Sequence, residues 1–292
     1  MTSPDPHPAD APAPEETSPG EDIPAWSLPR SAEARVAERT VWPSALTPEQ
    51  AWGGSDGAGV RVCILDSGVQ PDHPDVGPLA EALVVTAGEG AEPYRVRPDE
   101  EGDLCGHGTA CAGIVRSIAP ACAISSVRVL GEGFTGTGAD LIAGLRFAVE
   151  AGYDVINMSL STTHARFVPT LHELADRAYF QRTVLVASAH NMPVDSWPWR
   201  FASVISVGSH ERPDPHCLFA NGQPPVEIFA RGVDVEAPWM GGRWMRASGN
   251  SFATPHVSGL CALIISKHPG IRPGQVKAML ALVAQREDED DV

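Results

Sequence analysis

From residue 59 onward the chain alternates short, β-rich apolar runs with stretches of helical pattern, and few folds accept that rhythm. The apolar runs are Val60–Leu65, Ile124–Leu130, Val155–Leu160, Thr183–Ala189 and Val204–Gly208. Helical patterns lie between them at Thr109–Ser117, Asp140–Ala151 and Thr170–Phe180, and a last pair follows from Ser251 onward. Nearly continuous apolar strands separated by helices predict a parallel sheet buried on both faces. The expected architecture is α/β in three layers, a mostly parallel central sheet covered by helices on both sides. In such sheets functional groups gather at the carboxyl ends of the strands.

The remaining composition sets the boundaries. A chain of 292 residues fits one large domain with flanking tails. Residues 1–22 hold six acids and no Lys or Arg, and 287–291 hold five more, so only about −5 of the formal −16 belongs to the body. The expected organisation is an acidic, Pro-rich tail at 1–22, a lead-in segment at 23–58, the main domain at 59–285 and an acidic tail at 286–292. No basic stripe is present to neutralise phosphates, which argues against a nucleic-acid partner. No apolar run approaches a membrane span, and the N-terminus lacks the pattern of a secretory signal. Six cysteines without CxxC spacing read as reduced thiols, consistent with a cytoplasmic protein.

Three local motifs carry chemistry. Asp66 ends an apolar run and precedes Ser67-Gly68; such an acid either caps a turn or orients a neighbouring base. Gly106-His107-Gly108-Thr109 sets a histidine between two glycines at the start of a helix, as a cap or as a general base. Ser251, within Ser248-Gly-Asn-Ser-Phe-Ala-Thr-Pro-His256, opens a small-residue helix and is either an N-cap or a nucleophile near the positive end of the dipole. Pro255 is expected to be tolerated as a first-turn residue.

Taken together and in that order, these motifs resemble the subtilisin-like serine proteases, peptidase family S8. The resemblance runs from about Gly59 to Leu282 and also covers Val155-Ile-Asn-Met-Ser-Leu160. It implies a serine endopeptidase with Ser251 as nucleophile, His107 as general acid–base and Asp66 as orienting acid. It further implies an oxyanion hole formed by Asn191, after the strand Val184–Ala189, and by the Ser251 amide. Substrate would be a peptide or protein, added as a strand beside Phe134, Thr135, Gly136 and Ser159, Leu160, Ser161, with Met192 at the rim of the primary pocket.

The chain departs from the family pattern in several places. Asn250 stands where a threonine usually precedes the nucleophile, and its side-chain amide is expected to donate toward the oxyanion. His190 and Ser161 replace glycines and narrow the primary pocket. Met192 favours an apolar residue there, whereas Asp195, beside Ser196, favours a basic one. Thr109–Pro120 leaves no room for the family's calcium loop, so no metal or other cofactor is expected. Cys111, one turn after His107, is either a mercurial-sensitive thiol or an inert packing residue. No large propeptide like that of secreted relatives is expected, and Ile23–Pro29 is expected either to lie across the cleft or to pack on the domain's back. Two other classes compete with the protease: a peptide-binding pseudoprotease with the same fold, and an ester hydrolase, which the absence of a Gly-x-Ser-x-Gly elbow disfavours.

Overall fold

The first apolar run becomes the middle of the sheet. In the computed structural model, which describes residues 46–88, 93–221 and 225–286, β1 spans Arg61–Asp66 and is buried at every residue after Arg61. Val62 and Ile64 enter one apolar cluster, Cys63 and Leu65 another. The two-residue period of an extended strand dictates that split. β1 is flanked on either side by parallel strands, β4 (Ala123–Arg128) and β5 (Val155–Met158). Beyond β4 lie β2 (Glu81–Ala87), parallel, and then β3 (Tyr94–Pro98), antiparallel. Beyond β5 come β6 (Val184–Ser188), β7 (Val204–His210) and β9 (Ile228–Arg231), all parallel. The short strands β8 (Phe219–Ala220) and β12 (Gln285–Arg286) complete that edge.

Helices cover both faces. α2 (His107–Ile118), α5 (Asn250–Lys267) and α6 (Pro273–Val283) fill the cluster that holds Val62 and Ile64. α5 is buried without interruption from Phe252 to Ile264, as befits a helix apolar on all sides. α3 (Gly138–Glu150) and α4 (Val168–Phe180) cover the opposite face through Leu141, Leu145, Leu171 and Leu174. A separate hairpin, β10 (Val235–Trp239) and β11 (Arg243–Ala247), packs on Ala110, Ile114 and Phe252. The α/β, mostly parallel, two-sided architecture is the one expected.

The boundaries shift by at most two residues, and β2, β3 and β8–β12 were not anticipated. β3 and β11 are largely exposed, so neither presents an apolar run. A short helix, α1 (Pro48–Ala51), begins with a reciprocal Thr47–Gln50 cap and delivers Ala51 and Trp52 to the core. The tail at 1–22, the lead-in up to residue 45 and the acidic residues 287–292 lie outside the described residues. No helix among the described residues is long and apolar enough to cross a membrane.

Candidate active site

Parallel pairing brings the carboxyl ends of β1, β5 and β6 to one edge, and the chemistry collects there. Asp66, the last residue of β1, is fully buried. Its Oδ1 accepts the Ser67 amide at 2.8 Å. Across from it, α2 begins with His107, whose Nδ1 lies 2.9 and 3.0 Å from the two Asp66 carboxylate oxygens. Nδ1–H therefore donates to the carboxylate, and Nε2 is left as the basic nitrogen. Burial disfavours the imidazolium, but the Asp66 carboxylate and, behind it, the Cys111 side chain together hold the His107 pKa well above its ordinary value. The rings of Phe134 and Phe252 meet His107 edge-on at 5.9 and 5.3 Å and fix its plane.

Both glycines around His107 are required by geometry. Gly106 has φ 89°, in the left-handed region, and a β-carbon there would stand 2.2 Å from the Trp239 ring. A β-carbon on Gly108 would stand 1.9 Å from the Gly68 carbonyl oxygen, so the end of β1 and the start of α2 touch backbone to backbone.

One positioning residue escaped the sequence reading. Asp103 accepts hydrogen bonds from Ser67 Oγ at 2.8 Å, Cys105 N at 2.9 Å and Gly106 N at 2.7 Å through Oδ1. Its Oδ2 accepts from Thr109 N at 2.8 Å and Thr109 Oγ1 at 2.6 Å. It thus ties the residue after Asp66 to the first turn of α2. In the sequence it belongs to the acidic stretch Asp99–Asp103, which reads as a solvated loop.

Ser251 is the second residue of α5 and is half-buried. Pro255 sits in the sixth position of that helix, not in its first turn, which corrects the expectation. Lacking an N–H, it cannot bond the Ser251 carbonyl four residues back. The Ser159 hydroxyl donates to that carbonyl instead, at 2.9 Å. Ser159 is held in turn by Asn157 Nδ2 at 3.1 Å, and Asn157 Oδ1 accepts from Ser258 Oγ at 2.8 Å. Ser159→Ala would strand a buried carbonyl and is expected to cost about 1–3 kcal/mol in a denaturant titration. Adding Pro255→Ala should recover part of it; a stability unchanged by Ser159→Ala would show the contact to be idle.

Cys111 lies among these groups, its Sγ 3.9 Å from His107 Nδ1, 3.4 Å from Ser159 Oγ and 3.8 Å from the Ser251 carbonyl. It is fully buried, and burial raises its thiol pKa, which favours the packing role over a reactive thiolate.

Asn191 follows β6 by three residues, and its Oδ1 accepts the Asn250 amide at 3.0 Å. That contact orients the side chain and leaves Nδ2 as a donor. Asn191 Nδ2 and Ser251 Oγ each lie 3.4 Å from the point where a β-carbon of Gly249 would sit, so both face the same space. The Asn250 side chain does not join them. Its Oδ1 accepts from Ser209 Oγ at 2.7 Å, and its Nδ2 donates to the carbonyls of Ala189 at 3.2 Å and His190 at 3.5 Å. The expected donation toward an oxyanion is corrected, because these backbone and β7 partners lie closer at hand.

The expected substrate segments divide. Phe134 stands 53% exposed against His107, Thr135 is exposed beside it, and Gly136, Leu160 and Ser161 line one cavity. Ser159 points inward beneath Ser251. Met192, 62% exposed, borders a different cavity of about 330 Å³. Ser161 Oγ donates to Ser196 Oγ at 3.1 Å, and Thr162 pairs with Trp197, which anchors the cleft wall. Asp195 is paired with Arg200, so a basic substrate residue would compete with that guanidinium for the carboxylate.

The chain that carries this arrangement is similar to known proteins. The model of the Subtilase family matches residues 57–291. The chain belongs to the subtilase family. This subtilase is 31% identical over 246 residues to subtilisin DY of Bacillus licheniformis, covering 79% of this chain and 85% of that protein. It is 30% identical over 243 residues to thermitase of Thermoactinomyces vulgaris, covering 79% and 84%. A solved structure of a cold adapted subtilisin-like serine proteinase superposes with a TM-score of 0.62 at 26% identity, covering 78% and 83% of the two chains. The subtilase is a serine-type endopeptidase, and its substrate is a peptide or protein.

In this subtilase α2 runs without insertion into the connection 119–122, Ala-Pro-Ala-Cys, and then into β4. That connection offers no carboxylate. Among the described residues one group of three or more His, Cys and acid side chains has ligand atoms within 4.8 Å of one another, namely Asp66, His107 and Cys111. These are the groups of the site itself.

Proposed function

We propose that Ser251, His107 and Asp66 hydrolyse peptide bonds through an acyl-enzyme, with Asn191 and the Ser251 amide as oxyanion donors. The observation that supports this best is the buried contact of His107 Nδ1 with both oxygens of Asp66. His107 Nε2 takes the Ser251 proton as Oγ attacks the substrate carbonyl, and returns it to the departing amine. Water then enters and the same base activates it for deacylation. Substrate binding brings Ser251 Oγ and His107 Nε2 into hydrogen-bond reach. The test is reaction with a fluorophosphonate probe, followed by mass mapping of the adduct. Labelling at Ser251 that vanishes in Ser251→Ala supports the assignment, and labelling elsewhere overturns it.

The oxyanion role of Asn191 has its own measure. Asn191→Ala is expected to lower kcat by roughly 10²–10³-fold with a smaller change in KM. A near-wild-type kcat would remove Asn191 from the mechanism.

Activity in this reading is independent of calcium, as the carboxylate-free connection after α2 supports. Incubation with EDTA should leave rate and melting temperature essentially unchanged; a large loss restored by calcium would contradict this. The work is cytoplasmic processing of a particular peptide or precursor. The buried thiols of Cys63, Cys111, Cys122 and Cys261 support a reducing compartment, and the side chains of Ser161 and His190 at the cleft support restricted specificity.

A further inference from the structure

A cavity of about 430 Å³ opens between the Gly136–Gly138 segment and the Leu160–His164 segment, and His190 joins its wall. His190 immediately precedes Asn191, so the cavity begins next to the oxyanion donor. A peptide extended beside Ser159–Ser161 advances about 3.3 Å per residue and brings a side chain to it within a few residues of the scissile bond. The floor is aliphatic, formed by Leu130, Leu141 and Leu160, and the rim carries His164, Arg166 and His190. No carboxylate is among the lining residues.

Arg166 is the unusual member. Its guanidinium lies 4.6 Å over the ring of Phe167. Phe167 is braced edge-on by His164 at 6.2 Å and lies so close to Gly138 that a β-carbon there would stand 2.2 Å from the ring. A guanidinium held over a ring still has N–H groups to offer, and its planar fork suits a two-pronged carboxylate. Arg128, Arg177, Arg200 and Arg246 each pair with an acid of this chain. Arg61, Arg116 and Arg243 have no acid partner but donate to backbone carbonyls, whereas among the described residues Arg166 makes neither kind of contact, although the formal charge of the chain is −16. Asp140, in the first turn of α3 beside the cavity, is turned onto Thr137 N and Oγ1 at 2.9 and 2.7 Å. On the far wall, His190 Nδ1 accepts the Met192 amide at 3.0 Å, which leaves Nε2 to carry the proton as a donor.

We infer that this cavity selects an acidic side chain of the peptide substrate, with Arg166 receiving the carboxylate and the three leucines its methylenes. The inference rests on the proteolytic reading above. It makes a net-acidic protease prefer substrates of its own sign at one position.

The test is a positional peptide library in which each residue flanking the scissile bond is Glu, Gln or Lys in turn. It is run on the full chain and on Arg166→Glu and Arg166→Gln. At one position the full chain should favour Glu over Lys by roughly tenfold in kcat/KM, as an exposed attraction worth about fivefold gives way to a repulsion. High salt should shrink the ratio, Arg166→Gln should bring it near one, and Arg166→Glu should invert it. A flat profile at every position, or an acid preference that survives Arg166→Glu, overturns the inference. Fluorophosphonate labelling of the same samples separates the two layers. Enzyme labelled at Ser251 with a flat profile refutes the acidic subsite alone, while absence of both labelling and cleavage refutes the proteolytic reading as well.

Discussion

Ser251→Ala is expected to lower kcat by roughly 10⁶-fold while leaving the fold intact. The size follows from the way the three groups act as a unit: without Oγ no acyl-enzyme forms, and neither His107 nor Asp66 retains a task. What remains comes from substrate binding and the oxyanion donors. The fold should survive because Ser251 is half-buried and its backbone carbonyl, not its hydroxyl, makes the structural contact with Ser159. Steady-state hydrolysis of a cleaved library peptide, beside a melting curve, checks both halves. A variant that melts normally and retains more than about 1% of activity would show that the nucleophile lies elsewhere.

Asp66→Asn is expected to lower kcat by roughly 10⁴-fold. Oδ1 is already held by the Ser67 amide, so an asparagine would turn its NH₂ toward His107 Nδ1. That imposes the wrong tautomer, with the proton on Nε2, where the base should be. The pH profile adds a second signature. His107 must be neutral to accept a proton, and its raised pKa places the acid limb of kcat/KM above the ordinary imidazole value of 6.5. Removing the carboxylate leaves burial, which lowers the pKa, so the limb should move to lower pH in Asp66→Asn. An unmoved limb would mean that Asp66 does not govern His107. Stability runs the other way. A histidine raised by folding contributes its full stabilisation below the unfolded value of 6.5 and loses it as pH climbs through the folded one. Catalysis therefore grows as this contribution to stability fades.

Much of the site was legible because its residues bring their backbone requirements with them. His107 needs glycine on both sides, one for a left-handed turn and one for contact with Gly68, and that need is written in adjacent letters. The strands of the sheet centre were equally plain, since burial on both faces demands an unbroken apolar run. What stayed hidden depended on partners distant in sequence or on polar surfaces. Asp103 is one acid in a charged loop until Ser67, 36 residues away, is seen to meet it. The direction of the Asn250 side chain depends on Ser209, and the fate of Asp195 on Arg200. β3 and β11 pair by backbone and expose most of their side chains, so apolar pattern could not announce them.

The proline in the nucleophile helix constrains how this chain can change over generations. Pro255 and Ser159 behave as one heritable character written at two sites, because the carbonyl one leaves open is the carbonyl the other fills. A lineage that first replaced the proline would regain a helix amide aimed at Ser251 and could then drift freely at 159. A lineage that began with the serine would pass through a stranded carbonyl behind its own nucleophile. The order that starts at 255 avoids that cost.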